Sequence, residues 1–227
     1  MTDAAPGFIE WKGSTRPDGL IFDLDGTLWD STGTVARAWS RALRILDGPG
    51  REITAEEIAG IMGKTHREIY RAMFPGLEQA EQERRILACY AEEERQLHRT
   101  GGNLYPGVEE GLARLSPAYS LFIVSNCQQG YIESFLGWSG LGGLFTDFEC
   151  HGNTGLDKGD NLKQVRQRNG LRRPVYIGDT QSDQDAALQG GMPFIHAGYG
   201  FGKVRSACPR VDSFTALVGM AMAHGGP

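Results

Sequence analysis

A chain of 227 residues, 40% of them hydrophobic, has room for one α/β domain with an insertion or for two small domains. No apolar run reaches the roughly 18 residues a membrane span needs, and the net charge of −5 argues against nucleic acid as the main partner. The opening residues lack a basic, then apolar, then small-residue order, so no secretory leader is expected. Cys89, Cys127, Cys150 and Cys208 form no CxxC pair, and the expected state is a reduced, cytoplasmic protein with free thiols. The 32 glycines are about twice the usual share, as an α/β fold with many tight turns would require.

Residues 1–17 mix Pro, Gly, Thr and charge and read as a lead-in. Five strand-like apolar runs follow: Leu20–Leu24, Ser120–Val124, Leu144–Glu149, Pro174–Ile177 and Pro193–His196. Helical patterns at Tyr131–Trp138, Asn161–Arg168 and Gln181–Leu188 separate the last four, and Asp212–Ala223 closes the chain. Near-continuous apolar strands alternating with helices predict a parallel sheet covered on both faces. The first gap is too long for a crossover. Within it, Thr54-Ala55-Glu56-Glu57 and Thr65-His66-Arg67-Glu68 match the capping box that opens helices. Glu78–His98 is a charged helix with Ala80, Leu87, Tyr90 and Leu97 approximating one apolar face. The predicted class is therefore α/β, a Rossmann-like, doubly wound parallel sheet core (residues 18–32 and 105–227) with an inserted all-helical cap domain (33–104). Tyr105-Pro106-Gly107 marks the return to the core.

Four polar clusters sit at strand ends or helix starts: Asp23 and Asp25 with Thr27; Ser125-Asn126; Lys158; and Gly178-Asp179 with Asp183. Residues two apart on a strand face the same way, so Asp23 and Asp25 should aim at one point. Burying two like charges together is costly unless a cation or a shared proton relieves it. Such a pair suits a metal-assisted carboxylate nucleophile with a neighbouring acid/base. In a parallel sheet the strand C-termini share one edge, where ligands bind at the topological switch point. Asp183 has a second reading, because Thr180-Gln181-Ser182-Asp183 also fits a helix-opening capping box.

Asp-x-Asp-Gly-Thr-Leu, then Ser-Asn, then Lys, then Gly-Asp-x-x-x-Asp resembles the haloacid dehalogenase-like superfamily over about residues 19–200, in its phosphatase branch, the phosphoglycolate phosphatase and β-phosphoglucomutase-like subgroup. The resemblance implies Asp23 as the nucleophile that forms an aspartyl-phosphate and Asp25 as acid and then base. It implies Mg²⁺ held by Asp23, Asp179 and the backbone carbonyl of Asp25, with Asp183 ligating directly or through water. Ser125, Asn126 and Thr27 would contact the phosphoryl group, and Lys158 would offset the gathering negative charge. The implied substrate is a small phosphomonoester: phosphoglycolate-like, a sugar phosphate or a nucleotide. Neither nucleic acid nor membrane is an implied partner, and monomer and homodimer stay open.

Departures from the resemblance discriminate among reactions. Asp25 counts against dehalogenase and phosphonatase chemistry. The mutase branch carries a histidine where this chain has Val35, so hydrolysis is favoured over phosphomutase activity. A catalytically idle binding protein on the same fold is a further alternative. In the cap, Lys64, His66 or Arg67 could meet the substrate's second polar end, and Arg67 is the expected contact. Gly60–Thr65 ends like a Walker A loop, but Ile58 occupies its first glycine position and no strand precedes it. Gly198–Gly202 is expected to border the pocket, and Cys127 to be an ordinary buried thiol.

Overall fold

The computed structural model describes residues 16–64 and 66–223. Strand β1 (Gly19–Phe22) lies at the centre of a six-stranded sheet and is buried along its whole length. The chain then forms a short strand β2 (Trp29–Asp30) and helices α1 (Thr32–Asp47), α2 (Ala55–Ala59), α3 (His66–Met73) and α4 (Gln79–Thr100). It returns through β3 (Asn103–Leu104) and α5 (Val108–Leu115) to β4 (Ser120–Ser125), α6 (Tyr131–Ser139), β5 (Phe145–Cys150), α7 (His151–Thr154) and α8 (Lys158–Arg168). Strand β6 (Pro174–Gly178), α9 (Gln181–Gly190), β7 (Phe194–Ala197), β8 (Arg210–Val211) and α10 (Phe214–Ala223) complete it.

The sheet order is β5-β4-β1-β6-β7-β8, and every pairing is parallel. The chain first winds from β1 to one edge and then resumes at β6 on the other side of β1, so a topological switch point falls at the centre. The strands alternate faces as period two demands. Leu20 and Phe22, Leu121 and Ile123, and Val175 and Ile177 join the core shared with Val108 and Leu112 of α5 and Phe214 and Leu217 of α10. Ile21, Phe122, Val124 and Tyr176 face Leu162 and Val165 of α8 and Ala186 and Ala187 of α9. Two such faces explain why the strands read as unbroken apolar runs. Strand β8 was not anticipated, since two residues are too few to carry a pattern.

Helices α1 to α4 lie between β2 and β3, which pair antiparallel through Trp29↔Leu104 and Asp30↔Asn103. The two passages between sheet and helices thus run side by side. Asp30 Oδ1 accepts from Thr32 N at 2.9 Å and from Thr32 Oγ1 at 2.6 Å, which fixes the entry to α1. Trp29 packs against Tyr131, Phe135 and Trp138 with ring centroids 5.9, 5.0 and 5.8 Å away. Gly101, beside this cluster, has φ +59°, and a Cβ there would stand 2.0 Å from the Trp138 ring, so glycine is required on both counts.

The capping box at Thr54 forms, with the Thr54 hydroxyl accepting from Glu57 N and Glu57 accepting from Thr54 N. The second one rests on Thr65, outside the described residues. Half of the face expected for Glu78–His98 forms: Leu97 is buried and Tyr90 packs half-buried against the core. Leu87 is 63% exposed and Ala80 is also exposed, whereas Ile86, Cys89, Glu92, Glu93 and Leu97 are buried against α1 and α6. Two glutamates belong to the inner face because each finds partners. Glu92 pairs with Arg41 at 3.1 Å and Arg95 at 2.5 Å. Glu93 accepts from Gln128 Nε2 at 2.6 Å and from Trp39 Nε1.

Burial pushes the Glu93 carboxyl up to about 7, against the opposing pull of its hydrogen bonds with Gln128 and Trp39. An acid whose folded-state value lies above its unfolded value costs stability as pH climbs through the interval between them. Glu93→Gln should therefore raise Tm at pH 8 by on the order of 5 °C and change it little at pH 4. Thermal unfolding of both proteins across that pH range checks the sign.

Candidate active site

The central strand delivers the first carboxylate. Asp23 follows β1 directly, and its N–H donates to Ile177 O on β6 at 2.8 Å, extending the pairing by one residue. Regular strand ends there, so period-two alternation does not place Asp25, contrary to the sequence expectation. A tight turn does so instead. Leu24 O accepts from Leu28 N at 2.9 Å, Gly26 N donates to Trp29 O at 2.9 Å, and Asp25 bridges to Trp29. Gly26 has φ +82°, and a Cβ there would lie 2.3 Å from Asp179 Oδ2. No other residue fits.

Lys158 opens α8, one turn earlier than the pattern suggested, and is buried. Its ammonium donates to Asp23 Oδ1 at 3.0 Å and to Asp183 Oδ1 at 2.6 Å. The capping reading of Asp183 holds. Its Oδ2 accepts from Thr180 N at 2.9 Å and Thr180 Oγ1 at 2.7 Å, completing the capping box of α9. Its Oδ1 accepts from Lys158 and, at 3.2 Å, from the Tyr176 hydroxyl. Asp179 Oδ2 accepts from Phe201 N at 2.7 Å and Gly202 N at 3.1 Å, so the Gly198–Gly202 loop holds this carboxylate directly. Asp179 Oδ1 is buried and has no hydrogen-bond partner among the described residues.

Electrostatics set these groups apart. Asp23, Asp25, Asp179, Asp183 and Lys158 are all buried, so full ionisation would leave four negative charges against one positive. Burial, then Asp183, push the carboxyls of Asp23 and Asp179 well above the usual range. Burial would do the same to Asp183, but Lys158 and the hydrogen bonds from Lys158 and Thr180 hold it below the ordinary value. Burial works against the Lys158 ammonium, yet Asp183 and Asp23 keep it charged far above neutrality. Asp25 is pushed up to about 6, chiefly by burial, while hydrogen bonds with Ser31 and Tyr131 pull the other way.

Those two partners of Asp25 were not visible in the sequence. Ser31 Oγ donates to Asp25 Oδ1 at 2.6 Å and Tyr131 OH at 2.9 Å, and the two hydroxyls lie 2.8 Å apart. Ser31 precedes α1 and Tyr131 opens α6. Only the fold joins them, although Asp-Ser before a helix was a readable N-terminal signal.

A cleft with about 520 Å³ of empty space, its open mouth included, extends from Asp23 and Asp25 between the sheet edge and α1 to α4. Ser125, Asn126, Cys127, Gln128 and Tyr131 line its sheet side, and Lys64 and Glu93 its helical side. Cys127 is thus half-buried on the cleft wall instead of being an ordinary core thiol. Asn126 Nδ2 donates to Gly63 O at 3.0 Å, tying the sheet edge to the helical segment. Thr27 is buried and stands outside the cleft lining; its hydroxyl has no partner among the described residues. Arg67 is exposed on α3 and is not part of the lining, which takes Lys64 in its place. The side chain of His66 lies outside what the structure describes.

Carboxylate oxygens of Asp23, Asp179 and Asp183 all lie within 4.8 Å of one another. All-oxygen donors suit a hard cation such as Mg²⁺, and the orphaned Asp179 Oδ1 is an acceptor that such an ion would satisfy. The residues present therefore fit the metal that the resemblance implies.

The sequence profile of the haloacid dehalogenase-like hydrolases matches residues 20–197. A phosphoglycolate phosphatase of Synechococcus elongatus is 34% identical over 199 residues, covering 84% of this chain and 89% of its own. One from Rhodobacter capsulatus is 28% identical over 211 residues, covering 88% and 95%. Among solved structures, a haloacid dehalogenase-like family hydrolase from Streptococcus pneumoniae superposes with a TM-score of 0.76 at 20% identity, covering 90% of this chain and 98% of that one. With the profile spanning most of its length and the same fold around an acidic strand edge, this chain belongs to the haloacid dehalogenase-like hydrolases.

Proposed function

We propose that this protein hydrolyses a small phosphomonoester through a phosphoryl group carried on Asp23. The observation that carries the reading is the convergence of Asp179, Asp183 and Lys158 on Asp23, which lines a cleft together with Asp25. Asp23 attacks phosphorus, forming an Asp23–phosphorus bond as the bond from phosphorus to the ester oxygen breaks. Asp25 gives its proton to the departing alkoxide. The resulting carboxylate then takes a proton from water as that water attacks phosphorus, releasing phosphate and restoring both aspartates. A group pushed up to about 6 suits both halves, since each protonation state is within reach near neutrality. Ser31 and Tyr131 both donate to Oδ1, which leaves Oδ2 to exchange the proton.

In this reading Asp23 and Asp179 would hold Mg²⁺ with the backbone carbonyl of Asp25, and Asp183 acts from behind by holding Lys158. The bound ion would supply positive charge against the carboxylates and the phosphoryl oxygens. Lys158 adds its own, fixed in place before substrate arrives. Ser125 and Asn126 border the phosphoryl group, Asn126 through its backbone because its side chain is turned to Gly63. Residues 33–104 act as a cap that closes over the reacting group and supplies substrate contacts. The phosphoglycolate phosphatase names of the relatives support a small phosphate ester. The phosphomutase alternative is weaker, because Val35 lines the cleft and offers no proton there.

Three outcomes test this. Chelation with EDTA should abolish release of phosphate from p-nitrophenyl phosphate, and added Mg²⁺ should restore it; metal-independent turnover would remove the reading. Lys158→Met should lower kcat by about 10²–10³-fold, the usual loss on deleting one preorganised charge, measured under saturating Mg²⁺. Asp25→Asn should slow esters with poor alkoxide leaving groups far more than p-nitrophenyl phosphate. Equal losses for both esters would deny Asp25 its role as acid.

A further inference from the structure

Resting on the phosphatase reading, we propose that Glu93 and the apolar wall around it select a phosphomonoester of a largely apolar alcohol, bearing a hydroxyl or N–H donor and no carboxylate. The wall of the cleft beyond Asp25 is made by Val35, Trp39, Ile58, Ile61, Met62 and Ile69. Within this lining the one group from α4 that is both ionisable and buried deep is Glu93, 3% exposed. Trp39 and Gln128 fix its orientation by donating one hydrogen bond to each carboxylate oxygen. Each oxygen has a further lone pair, and a substrate donor is what such an acceptor can take.

The cations available make the case against an anionic alcohol. Lys158 is held between Asp23 and Asp183. Arg67 is exposed and outside the lining, and Lys64, the one cation among the described lining residues, is exposed at the rim. A carboxylate drawn into the cleft would lose its water, gain no buried cation and stand beside Glu93 and Asp25. Unpaired burial of a charge is strongly unfavourable. An apolar ring or chain there loses only water that held it poorly, and gains contact with Trp39 and the aliphatic wall. The relatives named phosphoglycolate phosphatases are named for an ester that carries a carboxylate, so this cleft points to a different alcohol.

The test compares kcat/KM for 2-phosphoglycolate, 2-hydroxyethyl phosphate and 2-(4-hydroxyphenyl)ethyl phosphate with the Mg²⁺-supplied protein. The first two are close in size and differ by a carboxylate against a hydroxymethyl group. The hydroxyphenyl ester should be best, and 2-phosphoglycolate about tenfold or more below 2-hydroxyethyl phosphate. Glu93→Gln, which keeps the shape and removes the acid, should narrow that last gap by about threefold or more. A preference for 2-phosphoglycolate, or an unchanged ratio in a folded Glu93→Gln protein, overturns the inference and leaves the phosphatase reading standing. Should the variant not fold, the substrate order of the unaltered protein decides by itself. No turnover of any of these esters, nor of p-nitrophenyl phosphate, removes the phosphatase reading and this inference with it.

Discussion

Carboxylates withdrawn from water beside one another repel, and the strand edge of this protein gathers four of them around a single ammonium. Lys158 stands between Asp23 and Asp183 and, among the described residues, is the only positive charge buried with them. One cation cannot balance four anions, so the site is left with a standing demand for positive charge and for protons. That demand makes the remaining arrangement intelligible. It raises the carboxyls of Asp23 and Asp179, leaves one oxygen of Asp179 unpartnered, and suits the cluster to a hard metal and a phosphoryl group together.

The fold holds that repulsion by backbone. Asp23 is pinned by the sheet, Asp179 by two N–H groups of the Gly198–Gly202 loop, and Asp183 by the start of α9. Each anchor belongs to a different crossover of one parallel sheet. The charges therefore cannot relax apart unless elements of the core unpack. Preorganisation of this kind is the main source of electrostatic stabilisation at such sites.

Much of this was readable in the amino-acid order, and the reasons differ by residue. Strands buried on both faces announce themselves as apolar runs, so β1, β4, β5, β6 and β7 were located to within a few residues. Asp23, Asp179, Asp183 and Lys158 follow strand ends or begin helices, where position along the chain nearly determines position in space. Tyr131 and Glu93 were missed because they reach their partners across long sequence separations, and Ser31, only six residues from Asp25, because the turn between them carries no pattern that aims one at the other. Ser31 meets Tyr131, and Trp39 meets Glu93, only once helices pack. Glu93 was hidden for a further reason: on a helix of mixed charge it looked like one more solvated acid. Half of the face of α4 was misjudged in the same way, because Glu92 and Glu93 are inner residues that no hydrophobic count rewards. Arg67, suggested as a contact by its place near a helix start, is exposed on α3 and outside the cleft lining.

The β2–β3 ribbon carries a mechanical corollary. Trp29 is at once a ribbon residue, the partner of the Asp25 turn and the hub of the ring cluster formed with Tyr131, Phe135 and Trp138. Any swing of the helices about their paired tethers must lever on that indole. The lever ends at Tyr131, which is both a ring in the cluster and a donor to the Asp25 carboxylate. Posture of the overlying helices and the hydrogen bonds of Asp25 are thus geared through one side chain, so displacement at a distance is felt at that carboxylate.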